Sequence, residues 1–222
     1  MLAVTALLIL LPLFLLLTLT GAAAMRGNPF FVQPRPGKIS PKTGREQIFR
    51  LIKFRTMDNR RDRNGKLLPD EERLNAYGRF LRRTSLDELP QLLNVISGTG
   101  VLVGPRPMLV RDMVFMSPQV RRRHTVWPGI TGWAQVHGRN SISWEEKFVY
   151  DLEYIDRGIT FRGDLQILAM TLMQVFKHSD VNREGTASDL DYGDWLLADG
   201  GVTQEEYDKK QREALELLRG VS

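Results

Sequence analysis

The sequence predicts an α-dominated α+β fold, in which an N-terminal membrane helix precedes a compact domain of amphipathic helices with a few short strands. Three observations lead to this class. Residues 2–25 carry no charged side chain. Behind them, apolar residues recur at helical spacing, as at Leu74, Tyr77 and Leu81. The alternation typical of a strand is clear only near residues 48–57, and nothing indicates the strand–helix alternation of a parallel sheet.

The uncharged run is long enough to cross a membrane, because a continuous helix over residues 2–25 would measure about 36 Å. Pro12 lies in its middle, where it removes a backbone hydrogen bond. Three interpretations are open: a spanning helix, a helix–break–helix that enters and leaves by one face, and a signal peptide cleaved near residues 22–24. The absence of Lys and Arg before the run disfavours the signal peptide. The positive charge from Arg26 onward favours a cytoplasmic domain.

Composition and charge exclude several classes of protein. The chain has no cysteine, which excludes a disulfide scaffold, a zinc–thiolate site and a cysteine nucleophile. Its three histidines lack the spacing of a transition-metal site, whereas a hard, oxygen-liganded ion stays compatible with the sequence. Residues 26–182 hold 26 basic and 16 acidic residues, which suits an anionic membrane face or phosphate-bearing ligands. No nucleic-acid-binding module accompanies this charge, so no nucleic-acid partner is expected.

The chain is predicted to divide into three parts: a membrane segment (1–25), a cytoplasmic domain (26–185) and an acidic C-terminal tail (186–222). The domain opens on a stretch rich in Pro, Gly, Lys and Arg, residues 26–48, which indicates an extended, turn-bearing connector. An amphipathic helix is predicted to begin at residues 69–70. The tail is expected to be loop-like up to Gly201 and then to form an amphipathic helix, whose capping box is residues 203–206.

Asp87 and Glu88 are the candidate catalytic residues. They lie in Ser85-Leu86-Asp87-Glu88, whose S-x-x-E spacing predicts a capping box at the start of a helix. Carboxylates in a first helical turn meet free N–H groups and the positive end of the helix dipole, so stability alone can explain both residues. The same environment keeps a carboxylate ionised, as a nucleophile or an ion ligand requires, and an adjacent carboxylate can handle a proton.

Four cations are candidate phosphate ligands because they lie in turns or at strand ends: Lys53, Arg55, Arg106 and Arg139. Arg106 stands between Pro105 and Pro107, which stiffen the loop that presents it. An ordinary tight turn with a solvent-facing arginine is the alternative. We interpret residues 121–123, three consecutive arginines, as a solvated or lipid-facing cluster, and Trp133 and Trp144 as packing residues.

These residues belong to a series of motifs that resembles the bacterial sugar transferases, or monotopic phosphoglycosyl transferases. The motifs are K-F-R-T-M (53–57), R-T-S-L-D-E-L-P-Q-L-L-N-V (83–95), G-P-R-P (104–107), P-G-I-T-G-W-A-Q-V (128–136) and G-R-N (138–140). They occur in family order within residues 33–185, and together they are much more specific than any one of them.

The resemblance implies a covalent two-step reaction. The aspartate matching Asp87 attacks the β-phosphate of a UDP-sugar and expels UMP, and undecaprenyl phosphate then takes the sugar phosphate from the enzyme. The glutamate matching Glu88 handles a proton or activates the acceptor, with Mg²⁺ beside Asp87. The positions matching Lys53, Arg106 and Arg139 contact phosphate, nucleotide or the ion-bound anion.

The resemblance also implies a location at the bacterial inner membrane, with the catalytic domain facing the cytoplasm and in contact with membrane lipids. The N-terminal helix would be re-entrant, broken near Pro12, with both ends cytoplasmic. Residues 98–101 depart from the family pattern, reading G-T-G-V where G-D-M-S is usual, and the tail beyond about Asp189 lies outside the family core. A membrane-anchored basic binding protein without catalysis and a signal-cleaved structural domain are the alternatives from other classes.

Overall fold

The computed structural model describes residues 2–138, 142–176 and 190–220, and α-helix dominates these ranges, as predicted. The helices are α1 (Leu2–Ala24), α2 (Asp70–Arg73), α3 (Ala76–Thr84), α4 (Gln91–Ile96), α5 (Val110–Met113), α6 (Pro118–Arg121), α7 (Trp133–Gly138), α8 (Trp144–Asp156), α9 (Phe161–Phe176), α10 (Tyr192–Ala198) and α11 (Gln204–Arg219). The strands are β1 (Phe30–Ile39), β2 (Glu46–Phe54), β3 (Val101–Val103) and β4 (Gly129–Thr131). Short 3₁₀ helices cover Leu86–Glu88 and Arg122–Thr125.

α1 continues without interruption through Pro12, so the predicted break is not present in the helix itself. Its 23 residues would measure about 34 Å. Among the described residues it is the one helix that is long and apolar enough to cross a membrane. The length and composition predicted from the sequence are therefore confirmed.

One face of α1 packs against the domain along the helix. Ala3 near its start and Leu17 and Gly21 near its end are buried. Leu17 shares a hydrophobic cluster with Phe54, and its carbonyl oxygen accepts a hydrogen bond of 2.7 Å from the Tyr77 hydroxyl. Most of the other apolar side chains of α1 are exposed, which leaves an apolar face turned away from the domain.

β1 and β2 form an antiparallel hairpin in which Phe30 lies opposite Phe54. The stretch predicted to be a connector therefore contains a ten-residue strand, and that prediction was wrong. Pro34 and Pro36 disfavour the prediction of a strand, since proline has no N–H to donate to a strand ladder. Both are accommodated because the sheet has two strands, so β1 pairs along one side alone.

The amphipathic helix predicted to begin at residues 69–70 is two helices. Leu74 leaves the helical conformation with a ψ of 95°, and Asn75 then begins α3 by accepting a hydrogen bond of 2.9 Å from the Gly78 nitrogen. A Cβ on Gly78 would lie 1.9 Å from the carbonyl oxygen of Thr56. This close approach holds α3 against the segment that follows β2, and so positions the residues after α3.

β3 lies within residues 98–104, where the sequence predicts a turn and a short strand, but its parallel pairing with β4, with Val101 opposite Gly129, was not predicted. Each strand has three residues, which is too short to show an alternating pattern. A Cβ on Gly129 would lie 2.1 Å from the Gly104 nitrogen, and one on Gly132 would lie 2.2 Å from the Gly104 oxygen. Glycine at these positions brings the start of α7 close to the loop after β3.

The described part of the acidic tail packs on the domain. α10 occupies part of the stretch expected to be loop-like, so that expectation was wrong there. α11 begins with the predicted capping box, in which Thr203 and Glu206 exchange hydrogen bonds. Ala214 of α11 is buried in a cluster with Val110 and Met113 of α5.

Candidate active site

Asp87 and Glu88 lie in the 3₁₀ helix Leu86–Glu88, between α3 and α4. The predicted capping box is wrong, because Ser85 has a φ of 56° and its side chain makes no capping hydrogen bond to this helix. A left-handed backbone conformation at a residue other than glycine costs on the order of 1 kcal/mol. A helix of one turn has a small dipole, so neighbouring side chains decide the protonation of the two carboxyl groups.

Glu88 is held by two cations. Its Oε1 accepts from Arg106 Nη2 at 2.5 Å and from Lys53 Nζ at 3.4 Å. Burial alone would raise the pKa of Glu88, but the charges and hydrogen bonds of Arg106 and Lys53 outweigh burial and lower the pKa to about 2. Glu88 is therefore ionised at neutral pH in this arrangement. Lys53 and Arg106, two of the four predicted phosphate-binding cations, lie beside it.

Asp87 differs from its neighbour in having no ion pair with a described residue. Burial and the negative charge of Glu88 raise the pKa of Asp87 to about 6, although Lys53, Arg106 and Arg82 act in the opposite direction. A helix cap, as expected from the sequence, therefore does not set the charge of Asp87. Burial, Glu88 and the neighbouring cations set it instead. Asp87 thus has no ion pair within the described ranges and lies close to several cations, so its oxygens can meet a ligand.

Of the other two predicted phosphate ligands, Arg55 lies at the site and Arg139 is not among the described residues. Arg55 borders the same cavity as Asp87 and Glu88, and its Nη2 donates to the Phe30 oxygen at 3.4 Å. Arg139 lies outside the described residues, so its place in the site stays a prediction.

Arg35 is a site residue that the sequence analysis missed. It borders the cavity, and its guanidinium donates to the Pro107 oxygen at 3.2 Å and to Gln33 Oε1 at 2.6 Å. Burial, followed by the charge of Arg106, lowers the pKa of Arg35 to about 10. A signal existed in the sequence, since Arg35 stands between two prolines as Arg106 does.

The prediction of a solvated or lipid-facing cluster at residues 121–123 is wrong for Arg123, which is buried, whereas the Arg122 side chain is 49% exposed. Arg121 and Arg123 belong to what we call the arginine network, a set of ion-paired or hydrogen-bonded side chains: Glu46, Arg121, Arg123, His124 and Asp151. The side chains of Arg123 and Asp151 are 2% and 4% exposed, and Arg123 donates to Asp151 Oδ2 at 2.6 and 2.9 Å. Arg122 pairs with Asp156 outside this network.

The arginine network also supports the active-site loop. Arg123 Nη2 donates to the backbone oxygen of Arg106 at 2.7 Å, so a buried cation holds the loop that presents an active-site cation. The predicted packing roles of the two tryptophans are confirmed. Trp133 packs against the cluster that contains Val136, and Trp144 packs against the one that contains Phe148.

A cavity of about 1070 Å³ lies at the active-site cluster. Its wall includes both carboxylates, the cations and two residues of α1: Asp87, Glu88, Lys53, Arg106, Ala6 and Leu10. A charge cluster and an apolar helix thus border one space, so a ligand with both phosphate and lipid parts could contact both. The described residues contain no group of three or more His, Cys, Asp or Glu side chains that could enclose a metal ion.

Comparisons with known proteins agree with the resemblance read from the motifs. Residues 1–178 match the family described as "Bacterial sugar transferase". The "Uncharacterized sugar transferase EpsL" of Bacillus subtilis (strain 168) is 51% identical over 150 residues, which are 67% of this chain and 71% of the relative. The "UDP-glucose:undecaprenyl-phosphate glucose-1-phosphate transferase" of Xanthomonas campestris pv. campestris is 37% identical over 185 residues, which are 78% of this chain but 37% of the relative.

A third relative has nearly the same extent as this chain. The "Exopolysaccharide production protein ExoY" of Sinorhizobium fredii (strain NBRC 101917 / NGR234) is 32% identical over 192 residues, which are 79% of this chain and 82% of the relative. α10 and α11 lie beyond the last residue of the family match. The family match covers α1, the hairpin and every site residue described here, and the chain is therefore a member of the bacterial sugar transferase family and a transferase.

Proposed function

We propose that this protein transfers a sugar 1-phosphate from a UDP-sugar to undecaprenyl phosphate, giving undecaprenyl-diphosphate-sugar and UMP through a covalent intermediate on Asp87. The arrangement around Asp87 carries the proposal, since a carboxylate that has no ion pair with any described residue lies beside a cluster of cations in a cavity bordered by α1. The names of two relatives, one acting on UDP-glucose with undecaprenyl phosphate and one an "Undecaprenyl-phosphate galactose phosphotransferase", supply the substrate class. The reaction would begin the synthesis of a bacterial glycoconjugate.

In the first step, an Asp87 oxygen attacks the β-phosphorus of the UDP-sugar. A bond forms between the carboxylate oxygen and phosphorus, and the bond from phosphorus to the bridging oxygen breaks, so that UMP leaves with that oxygen. The nucleophile and the phosphates are all anionic, and the transfer therefore depends on positioning and on neutralised charge. Lys53, Arg106 and Arg35 can supply this neutralisation, and Arg55 and Arg139 are proposed as further phosphate contacts.

In the second step, a phosphate oxygen of undecaprenyl phosphate attacks the same phosphorus, and the bond to Asp87 breaks to regenerate its carboxylate. Glu88 is proposed to take the proton of a monoanionic acceptor. Its pKa of about 2 makes it a poor base while Arg106 and Lys53 hold it. When these cations move to the phosphates of a ligand, the pKa of Glu88 rises, so substrate binding itself would prepare the base.

Mg²⁺ is the proposed cofactor, with Asp87 as the protein ligand. Mg²⁺ binds through one or two carboxylates together with substrate phosphates, and this fits a site where one carboxylate has no ion pair with the residues that the structure describes. A bound ion would neutralise charge on the diphosphate of the donor. Asp87 would hold the ion and the reacting phosphate in one place.

We propose that the domain faces the cytoplasm at the bacterial inner membrane, and that residues 1–25, 26–185 and 186–222 form its membrane, catalytic and tail segments. The exposed apolar face of α1 would enter the lipid, with Pro12 bending the helix so that both ends remain on the cytoplasmic face. In support, Ala3 and Gly21 near opposite ends of α1 are both buried. This re-entrant arrangement would let the lipid acceptor reach a site that also receives a soluble nucleotide.

The decisive experiment for the chemistry is incubation with UDP-sugars and Mg²⁺ in the absence of acceptor, followed by intact-mass analysis. We expect UMP release and an added mass of one sugar phosphate, and we expect both to be lost in Asp87→Asn. Asp199→Asn, at an exposed position after α10, is the control and should behave as wild type. A wild-type protein that forms undecaprenyl-diphosphate-sugar without ever carrying the adduct would refute the covalent role of Asp87.

The membrane topology can be mapped with single cysteines, because the chain has none of its own. We expect Leu2→Cys to be protected from an impermeant maleimide in intact spheroplasts and labelled after lysis. Asn28→Cys, between α1 and β1, is the matched control for the cytoplasmic side. Labelling of Leu2→Cys from outside, with Asn28→Cys still protected, would instead indicate a helix that spans the membrane.

A further inference from the structure

Three buried side-chain polar atoms have no hydrogen-bond partner among the described residues, and all three belong to side chains on the wall of the active-site cavity. One is Nε of Arg35, and the other two are the amide nitrogen and oxygen of Gln135 on α7. A buried polar group that is left unpaired destabilises the folded state. Two unpaired atoms on one amide, beside a cavity, therefore indicate a side chain whose partner is a ligand.

Asn94 shows how the same protein satisfies an amide that serves the fold. Its Oδ1 accepts from the Ile52 nitrogen at 3.0 Å, and its Nδ2 donates to the Arg50 oxygen at 2.8 Å and to Thr99 Oγ1 at 3.2 Å. These bonds tie α4 to β2. Gln135 makes no such connection to any residue in the described ranges, so the described part of the fold does not account for its polar group.

The surroundings of Gln135 leave it room to reach a ligand. A Cβ on Gly132 would lie 2.7 Å from Gln135 Oε1, so the glycine provides the space that the amide occupies. The residue as a whole is half-buried and borders the cavity, whereas its two polar atoms are shielded by protein. The last torsion of a glutamine side chain has a broad energy profile, so a small rotation can present the amide to a bound molecule.

We propose that Gln135 is a specificity-determining residue that binds the uracil base of the donor nucleotide, a proposal that rests on the function proposed above. A carboxamide presents a carbonyl acceptor and an N–H donor side by side. Uracil presents the complement, an imide N–H next to a carbonyl. The acetamido group of a sugar has its N–H and carbonyl on opposite sides and can satisfy one of the two, and a phosphate oxygen can only accept.

The test compares binding of UMP and of N3-methyl-UMP, which lacks the imide proton, to the full-length protein in detergent. We expect wild type to bind UMP at least tenfold more tightly than N3-methyl-UMP, and we expect Gln135→Leu to bind the two with equal, weaker affinity. Because the substitution removes an unpaired buried amide, the melting temperature of Gln135→Leu should stay the same or rise. Asn94→Leu is the matched control, with a lower melting temperature and the discrimination retained.

Three results would overturn the proposal: equal binding of the two nucleotides by wild type, discrimination retained in Gln135→Leu, or a melting temperature that falls as in Asn94→Leu. A further arm compares KM for UDP-glucose and UDP-N-acetylglucosamine. The KM values should rise by the same factor in Gln135→Leu, and a rise confined to the acetamido sugar would assign the amide to the sugar instead. If wild type releases UMP from UDP-sugars but these tests fail, the role of Gln135 is refuted and the proposed function is not. If wild type releases no UMP, the proposed function is refuted as well.

Discussion

Two clusters of charged side chains lie next to each other in this protein, and both combine Asp and Glu carboxylates with arginine. The active-site cluster consists of Asp87, Glu88, Lys53 and Arg106, and the Arg106 side chain is 48% exposed. The arginine network contains Arg123, which is 2% exposed and bonded both to its carboxylate partner and to the Arg106 backbone. Although both clusters join carboxylates to arginines, they differ in solvent access and in how fully their carboxylates are paired with cations.

This difference shows what separates a reactive carboxylate from a structural one. In the arginine network, Glu46 accepts from Arg121 at 2.8 and 2.5 Å and lies 3.1 Å from His124 Nδ1, so its oxygens are occupied. In the active-site cluster, Asp87 is left without an ion pair among the described residues while its neighbour Glu88 takes the cations. A carboxylate held beside cations but not bonded to them stays available to react.

The largest expected effect is that of Asp87→Asn, which should lower the rate of UMP release at least about a thousandfold because it removes the nucleophile. The same change should raise the free energy of unfolding at pH 7.5 by on the order of 1–3 kcal/mol. The reason is that burial and Glu88 raise the pKa of Asp87 to about 6, so its ionised form is costly in the folded state. Kinetics and denaturant unfolding of the metal-free protein measure the two effects, and a variant that loses both activity and stability would contradict the comparison.

A buried carboxylate in the arginine network should behave in the opposite way. Asp151→Asn leaves Arg123 as a buried cation without its counter-charge and should lower the free energy of unfolding by about 3–5 kcal/mol. Asp156→Asn is the matched control. The Asp156 side chain is 53% exposed and pairs with Arg122, so its loss should change stability by less than about 1 kcal/mol. Equal effects of the two substitutions would show that Arg123 and Asp151 do not form a buried ion pair in solution.

The pH dependence gives a smaller and graded effect that separates the clusters. Because the nucleophile must be ionised, kcat/KM should fall about tenfold per pH unit below about pH 6. Higher Mg²⁺ concentrations should move this limb to lower pH, if the ion binds Asp87 as proposed. A limb that does not respond to Mg²⁺ would place the ion away from Asp87.

Stability should follow a different pH range. Burial alone would raise the pKa of Glu46, but its bonds to His124 and Arg121 lower the pKa to about 2. Its contribution to stability is therefore complete above its unfolded pKa of about 4.5 and is lost as the pH falls from about 4.5 to 2. The contribution of Glu46 should thus stay constant between pH 7.5 and 5, the range in which activity declines, and denaturant unfolding should show that Glu46→Gln reduces the loss of stability below pH 4.5.

The secondary structure was predictable where a pattern is local and long. The uncharged run predicted α1, and the spacing of Thr203 and Glu206 predicted the start of α11. The predictions failed where a distant contact decides the local conformation. Pro34 and Pro36 disfavour a strand locally, but β1 forms because it pairs with β2. Gly78 packs closely against Thr56, which is distant in sequence, and no local pattern predicts this contact.

The candidate site was predicted from motifs in part. Asp87, Glu88, Lys53 and Arg106 were chosen by residue type and turn context, and the fold brings them together. The reason offered for their chemistry was wrong, because the S-x-x-E spacing does not form a cap when Ser85 adopts a left-handed conformation. Arg35 was passed over because a connector was expected around it.

The sequence by itself determined that an uncharged helix precedes a basic domain, and its ordered motifs identified the family and the pair Asp87-Glu88. These properties depend on composition, spacing and residue identity along the chain, which need no folding to be read. Only the tertiary structure decided which carboxylate is paired and which is free, which arginine is buried and which faces the cavity, and which amide lacks a partner. Protonation and availability for binding depend on groups that are distant in sequence, and their effects on one another arise from distance and burial in the folded chain.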